Sequence, residues 1–339
     1  MSFQNFIAHQ LERAGDTAPI QLVAGERETE LNGRQQELLR ELKLTFVQKA
    51  GKSHGTFTGE LDKAQLSQWL REVHEEKLSF TEFSRKAMAA LKSELQNVEL
   101  PLSGFFVFFS EMLANEDFFY LLLVEHNEGL FFTPNLALES SRFIDVKQLR
   151  WGVKVNVTEW LQDPNELGCV SQMRARGDKD LSDVLSHWIG FTNTVNTSED
   201  TEEFLSIVED FSRSLPEEDA KQYRQKVVEY CVEHDKRGEK VEYEALSQFV
   251  DDKEPSALVD YVMAKQPEPK ATLIPDRSVL RQYVRFSGRN DQLSMSFSSD
   301  CLGESIMYDK ATDSITITNV PPALRARLLK YLQEQNSGE

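Results

Sequence analysis

Two apolar runs constrain this chain more than anything else in it: Phe105-Phe106-Val107-Phe108-Phe109 and Phe118-Phe119-Tyr120-Leu121-Leu122-Leu123-Val124. Successive side chains of a strand point to opposite faces, so a run apolar at every position has two apolar faces. No lysine or arginine interrupts either run. That argues against a stacking platform for single-stranded nucleic acid, which needs outward aromatics beside cations, and predicts central strands buried on both sides. Ala114-Asn115-Glu116-Asp117 reads as the turn between the runs. With Asn127-Glu128-Gly129 as the next turn and Leu130-Phe131-Phe132 beyond it, the segment reads as an antiparallel meander, and alternating Val153, Val155 and Val157 add another strand.

Helical spacing surrounds this sheet. Leu31, Leu38, Leu39, Leu42, Phe46 and Val47 recur among charges from Glu30 to Lys52, with Gly51 as the C-terminal stop. Leu61 to Val73 and Phe80 to Leu95 repeat the pattern, the second opened by Ser79 and Glu82 in capping-box spacing. The first hundred residues are thus predicted mostly helical after one or two short N-terminal strands. From Asp180 to Ala264 the helical period returns in a very acidic setting: nine acidic residues against Arg213 alone between Ser198 and Asp219. The apolar spacing persists there, so the charge belongs to a solvated helical face.

Pro267, Pro269 and Pro275 mark a linker, after which Leu293, Met295 and Phe297 alternate, Glu304 to Tyr308 and Ser314 to Thr318 form a hairpin, and Pro321-Pro322 opens a last helix carrying Leu324, Leu328, Leu329 and Leu332. The expected fold class is α+β, with helices covering an antiparallel sheet, an acidic helical middle and a small C-terminal hairpin-and-helix part. At 339 residues the chain has room for two domains. They are expected at 1–178, a mixed α/β domain with the meander, and 179–339, the acidic helices followed by the C-terminal hairpins and helix.

A net charge of −18 repels polyanions and attracts basic proteins at long range, yet it is unevenly spread. From Lys270 onward nine basic residues face eight acidic ones, so residues 1–269 carry more than the whole negative charge. Cys169, Cys231 and Cys301, three and far apart, fit reduced thiols in a cytoplasm better than a disulfide framework. Met1-Ser2-Phe3-Gln4-Asn5 lacks the basic start of a secretory signal, and charged residues interrupt the most apolar stretch, Gly104 to Val124, so no membrane association is expected.

Motifs for catalysis are sparse. The six histidines never pair at metal-ligand spacing, and no phosphate loop, dinucleotide fingerprint or nucleophile elbow occurs, so no cofactor or metal is expected. Asp145-Val146-Lys147, with Asp117 or Glu125 as a second carboxylate, has the outline of a magnesium nuclease site, but such tripeptides are frequent by chance. The cations are more informative. Arg277, Arg281, Arg285 and Arg289 recur every four positions, which places side chains on one face of either a helix or a strand and makes a candidate row for successive phosphates. Arg174 and Arg176, with Lys179, form a second group around Gly177.

Asp276-Arg277, Leu280-Arg281-Gln282, Phe286-Ser287-Gly288, Leu302-Gly303-Glu304, Tyr308-Asp309, Thr312-Asp313-Ser314-Ile315-Thr316-Ile317 and Pro321-Pro322-Ala323-Leu324-Arg325, taken in order, resemble the nucleoid-associated protein family of NdpA or YejK type. Val157-Thr158-Glu159-Trp160 and Arg174 to Gly190 agree, and the likeness extends over nearly the whole chain, most loosely in the first hundred residues. The resemblance implies a cytoplasmic bacterial protein of the nucleoid and no catalytic residues. In the family, the segment matching Arg174 to Asp180 is more basic than here, where Asp178 and Asp180 intervene, so the row from Arg277 is the first candidate. The expected activity is non-enzymatic, sequence-independent DNA contact. The alternative is an acidic adaptor docking on a basic nucleoid protein or a topoisomerase, and a homo-oligomer is compatible with either.

Overall fold

Both Phe-rich runs lie at the centre of an eight-stranded antiparallel sheet. The computed structural model describes residues 2–15, 18–59, 65–96, 98–99, 102–163, 168–174, 179–251, 253–266, 270–298 and 301–336. The sheet comprises β1 (Ser2–Arg13), β2 (Gln21–Val23), β3 (Ser53–Phe57), β4 (Leu102–Leu113), β5 (Glu116–Phe132), β6 (Leu138–Asn156), β7 (Val170–Met173) and β8 (Phe191–Val195), in the order β2-β1-β4-β5-β6-β7-β3-β8. Ala114 and Asn115, both at positive φ (53° and 68°), make the two-residue turn between β4 and β5, as the right-handed twist of a tight hairpin requires.

Each face of β4 and β5 has its own cover. Phe106, Phe108, Phe119, Leu121 and Leu123 pack with Trp151, Val153 and Val155 under α2 (Gln65–His74), α3 (Phe80–Leu95), α4 (Val157–Gln162) and α5 (Lys179–Ile189). Val107, Phe109, Phe118, Tyr120 and Leu122 pack on the other side against Leu39, Leu42, Phe46 and Val47 of α1 (Gly33–Gln48). Two covered faces are why both alternating sets of side chains had to be apolar. Gly152 of β6 keeps the second face close: a Cβ there would lie 2.6 Å from Leu122 Cδ2 and 3.1 Å from Phe46 Cδ2. The helix expected from Phe80 has its capping box, with Ser79 Oγ accepting from Glu82 N and Glu82 accepting from Ser79 N. The start of the helix expected from Leu61 lies outside the described residues.

Three expectations are corrected. Asn127-Glu128-Gly129 is no turn: β5 runs straight through it, paired Asn127 with Phe143 and Gly129 with Ser141, and the chain reverses at Thr133–Ala137. The N-terminal strand is twelve residues long and lies along the full length of β4. The boundary expected at 178/179 falls inside one compact unit, residues 1–275, because α5 completes the first core and β8 closes the sheet edge against β3. The second unit is residues 276–339.

The acidic middle belongs to the first unit and consists of α6 (Thr197–Ser212), α7 (Glu217–Arg237), α8 (Tyr243–Val250) and α9 (Ala257–Lys265), with the short strands β9 (Val241–Glu242) and β10 (Thr272–Leu273) paired to each other. Phe204, Val208, Val227, Cys231, Leu246 and Val262 are buried, while Glu199, Glu202, Glu203 and Asp210 are exposed. Gly238 ends α7 at φ 67°, where a side chain would strain the backbone and approach Val47 of α1. Pro267 and Pro269 of the expected linker lie outside the described residues, and Leu273, inside its span, is a buried strand residue.

The second unit holds α10 (Arg277–Val284), a hairpin of β11 (Arg285–Arg289) and β12 (Ser294–Ser298), a hairpin of β13 (Ile306–Asp309) and β14 (Ser314–Ile317), and α11 (Pro322–Asn336). Asp276 caps α10, accepting from the backbone of Ser278 at 2.8 Å and Val279 at 3.0 Å. Among its described residues only Leu280 and Ile306 are buried apolar side chains.

Candidate nucleic-acid interface

The arginine row changes element halfway along. Arg277 and Arg281 sit one helical turn apart on α10, and Arg285 and Arg289 sit four residues apart on β11, about 13 Å along a strand. A spacing of four keeps side chains aligned within either element, but not across the switch at Val284/Arg285. The structure therefore holds two pairs in place of one row. Arg281, Arg285 and Arg289 are exposed and make no ion pair among the described residues; Arg277 is half-buried and already engaged within the protein.

The β11–β12 hairpin sorts its side chains by face. Arg285 pairs with Ser298, Ser287 with Ser296 and Arg289 with Ser294, so one face carries two guanidinium groups and four hydroxyls. Arg285 Nη2 donates to Ser296 Oγ at 3.2 Å. The opposite face carries Phe286, Met295 and Phe297, the Phe286 and Phe297 rings 5.7 Å apart, and lines an apolar groove with Leu293, Leu302 and Ile315. Sequence reasoning used the alternation Leu293, Met295, Phe297 to find this strand and missed the serines between them. The signal was present as Ser294-x-Ser296-x-Ser298. Guanidinium and hydroxyl groups on one exposed face are the donors that phosphate oxygens accept from.

The second basic group is less available. Arg174 is exposed, and its Nη1 lies 3.2 Å from Asp183 on α5; Arg176 lies outside the described residues. The nuclease-like carboxylates are also committed elsewhere. Asp145 accepts from Asn127 Nδ2 and from the backbone of Lys147, each at 3.0 Å; Asp117 lies 3.6 Å from His74, and Glu125 accepts from Arg150 at 2.7 Å. No group of three potential ligands that could hold a metal occurs among the described residues.

The first unit contains one polar feature the sequence did not reveal. A cavity of about 540 Å³ is lined by residues of α1, β5, β6, α4 and the end of α7, among them Lys43, Tyr120, Lys154 and Glu159. Next to it Glu111, fully buried, is ion-paired with Lys43 and accepts from the Tyr120 hydroxyl at 2.9 Å; burial, then the Glu111 charge, holds that phenol well above its usual range. Lys154 lies 4.5 Å over the Phe118 ring and donates to the Gly238 carbonyl at 3.3 Å. Burial, and then the charge of Lys43, pushes its ammonium down to about 8.

Fold and surface together define an α+β protein with a strongly acidic scaffold and a separate small unit that carries exposed arginines. No helix of the described residues is long and apolar enough to cross a membrane. Residues 7–325 match the family described as nucleoid-associated protein YejK. Over 96% of its length the chain is 30% identical to a nucleoid-associated protein of Pseudomonas putida strain GB-1, covering 97% of that protein. It is 30% identical to those of Pseudomonas paraeruginosa PA7, with 99% of both chains aligned, and Pseudomonas aeruginosa UCBPP-PA14, with 97% of both. The chain belongs to the YejK family of nucleoid-associated proteins, as the C-terminal motifs had implied. The family's place is the bacterial nucleoid.

Proposed function

We propose that this protein acts at the chromosome without catalysing a reaction, contacting duplex DNA weakly and without sequence preference through Arg285 and Arg289, with Arg281, Arg277, Arg174 and Arg176 as lesser contributors. The observation that carries the reading is the two-faced β11–β12 hairpin, whose polar face presents two exposed guanidinium groups, neither in an ion pair among the described residues, and four serine hydroxyls. Phosphate contact of this kind releases about 0.9 counterion per neutralised phosphate. Titrating a fluorescent duplex with the full chain between about 50 and about 200 mM salt gives the slope of log affinity against log salt. Replacing Arg285 and Arg289 together by alanine is expected to reduce that slope by nearly two; an unchanged slope removes the site.

A second reading rests on a different observation: Glu199, Glu202, Glu203 and Asp210 are exposed on α6, within a unit carrying essentially all the negative charge. That surface fits a basic protein already on DNA, a topoisomerase tail or another nucleoid protein, better than it fits phosphate. The same titration separates the two. If the chain fails to bind bare duplex at low salt and still sediments with isolated nucleoids, the adaptor reading replaces direct contact.

A further inference from the structure

The cavity of the first unit is electrically unlike the scaffold around it. Among the described residues, Lys43, Lys52, Lys154, Arg237 and Lys240 line it against five carboxylates, in a chain whose acidic residues outnumber the basic ones by 56 to 38. Most of these cations are already engaged. Lys43 is paired with Glu111, Lys240 with Glu159 at 3.1 Å and Arg237 with Glu239 at 3.6 Å, while Lys52 donates to the carbonyls of Val47 and Lys49 at the end of α1. Lys154 differs from them: it stands on β6 at the cavity wall, half-buried, with no carboxylate within ion-pair distance among the described residues. Its ammonium has three hydrogens and one hydrogen bond, to the Gly238 carbonyl at 3.3 Å, and otherwise lies over the Phe118 ring.

A desolvated ammonium beside a second one sheds its proton more readily than a free lysine does, and the lone pair so exposed makes the nitrogen a nucleophile. Here the second cation is Lys43 on α1. Glu111 on β4, Glu159 on α4 and Glu239 just beyond α7 act in the opposite sense from outside ion-pair distance, and burial with Lys43 prevails, bringing the group to about 8. Lys77, exposed and hydrogen-bonded to Glu75, is held above the ordinary lysine value.

We propose that Lys154 is a modification site, at which an acyl phosphate enters the cavity and transfers its acyl group to the lysine nitrogen. A volume of about 540 Å³ lies within the range of small-molecule sites, about 300–1,000 Å³. The phosphate of such a reagent is an anion, for which Lys43, Lys52 and Arg237 at the cavity wall are the counter-charges. In the reaction the Nζ lone pair forms a C–N bond with the acyl carbon and the bond from that carbon to the bridging oxygen breaks. Phosphate leaves with the electron pair and takes up the surplus amine proton. The product, a neutral amide, removes a cation from the C-terminal end of α7, where a positive charge is favoured, and so acts on the seam between the sheet and the acidic helices.

The experiment treats the full native chain with limiting acetyl phosphate and follows the rate at each lysine by mass spectrometry of its peptides. At about pH 8 roughly half of Lys154, but below about 1% of an ordinary lysine, is free amine. Even with its less basic nitrogen, Lys154 is expected to react at least about tenfold faster than Lys77. Its rate should level off above about pH 8, while that of Lys77 goes on rising past about pH 10. In about 6 M guanidinium chloride the two rates should converge, because the difference belongs to the fold. Acetyl-coenzyme A, a far bulkier source of the same acyl group, should show no preference for Lys154. Equal rates at Lys154 and Lys77 in the native chain, a preference that persists in denaturant, or one as large from the thioester as from acetyl phosphate would overturn the proposal.

Discussion

The two units of this chain solve the folding problem in opposite ways. Residues 1–275 bury both faces of a sheet whose central strands are apolar at nearly every position, and they carry the net charge of −18, most densely on α6. Residues 276–339 carry no net charge, bury little, and keep cations and apolar side chains on opposite faces of one hairpin. The contrast teaches where function can sit. A surface surplus to a finished core is free to carry charge, and strand alternation alone is enough to keep cations and apolar side chains apart on the hairpin.

The largest expected effect tests that asymmetry directly. Phe108→Ala, at a site with no solvent exposure between α3 and β5, should cost about 3–5 kcal/mol in urea unfolding followed by tryptophan fluorescence. Leu329→Ala on exposed α11 should move the same transition by less than about 0.5 kcal/mol. Equal effects would mean that the second unit is integral to the first unit's core. A comparable loss is expected from Lys43→Met, which leaves Glu111 buried without its cation, about 3–5 kcal/mol in the same assay. Adding Glu111→Leu should recover most of it, because the pair then leaves together; no recovery would show that the ion pair matters through its packing and not its charge.

A smaller effect, graded with pH, belongs to His9. It is buried in β1, its Nδ1 accepts from Gly25 N at 3.0 Å, and burial, with the charge of Arg85 adding, pushes its pKa down to about 4. The unfolded chain therefore binds the proton more readily, so the stabilisation is complete above about 6.5 and is lost as pH falls from there toward about 4. The loss should approach roughly 3 kcal/mol at the low end. His9→Gln should flatten this limb of the stability profile. An unchanged limb would assign it to other groups.

Much of the first unit was legible because its cues are local. The apolar runs, the capping box at Ser79 and Glu82 and the stripe through Leu39, Leu42 and Phe46 are each contained within a few turns of sequence. Asn127-Glu128-Gly129 was misread because turn propensity is weak, and fourteen pairs with β6 outweigh it. The domain boundary was misplaced for a related reason: β3 and β8 are neighbours in the sheet although more than a hundred residues separate them. The buried Glu111–Lys43–Tyr120 cluster left no trace, since nothing along the chain marks Lys43 as facing β4 and β5.

The candidate interface divides along the same line. That residues 105–109 and 118–124 would be buried on both sides was decided by their own chemistry, as was the concentration of negative charge away from the C-terminal segment. Which arginines stand together was not. Four cations spaced by four share a face under either period, 3.6 or 2, but only while the period holds. The change from helix to strand at Val284/Arg285, and the pairing that sets Arg285 and Arg289 opposite Ser298 and Ser294, follow from contacts with a strand five to thirteen residues away. Chain spacing sets the angle between side chains within one element, and only tertiary packing decides where that element ends.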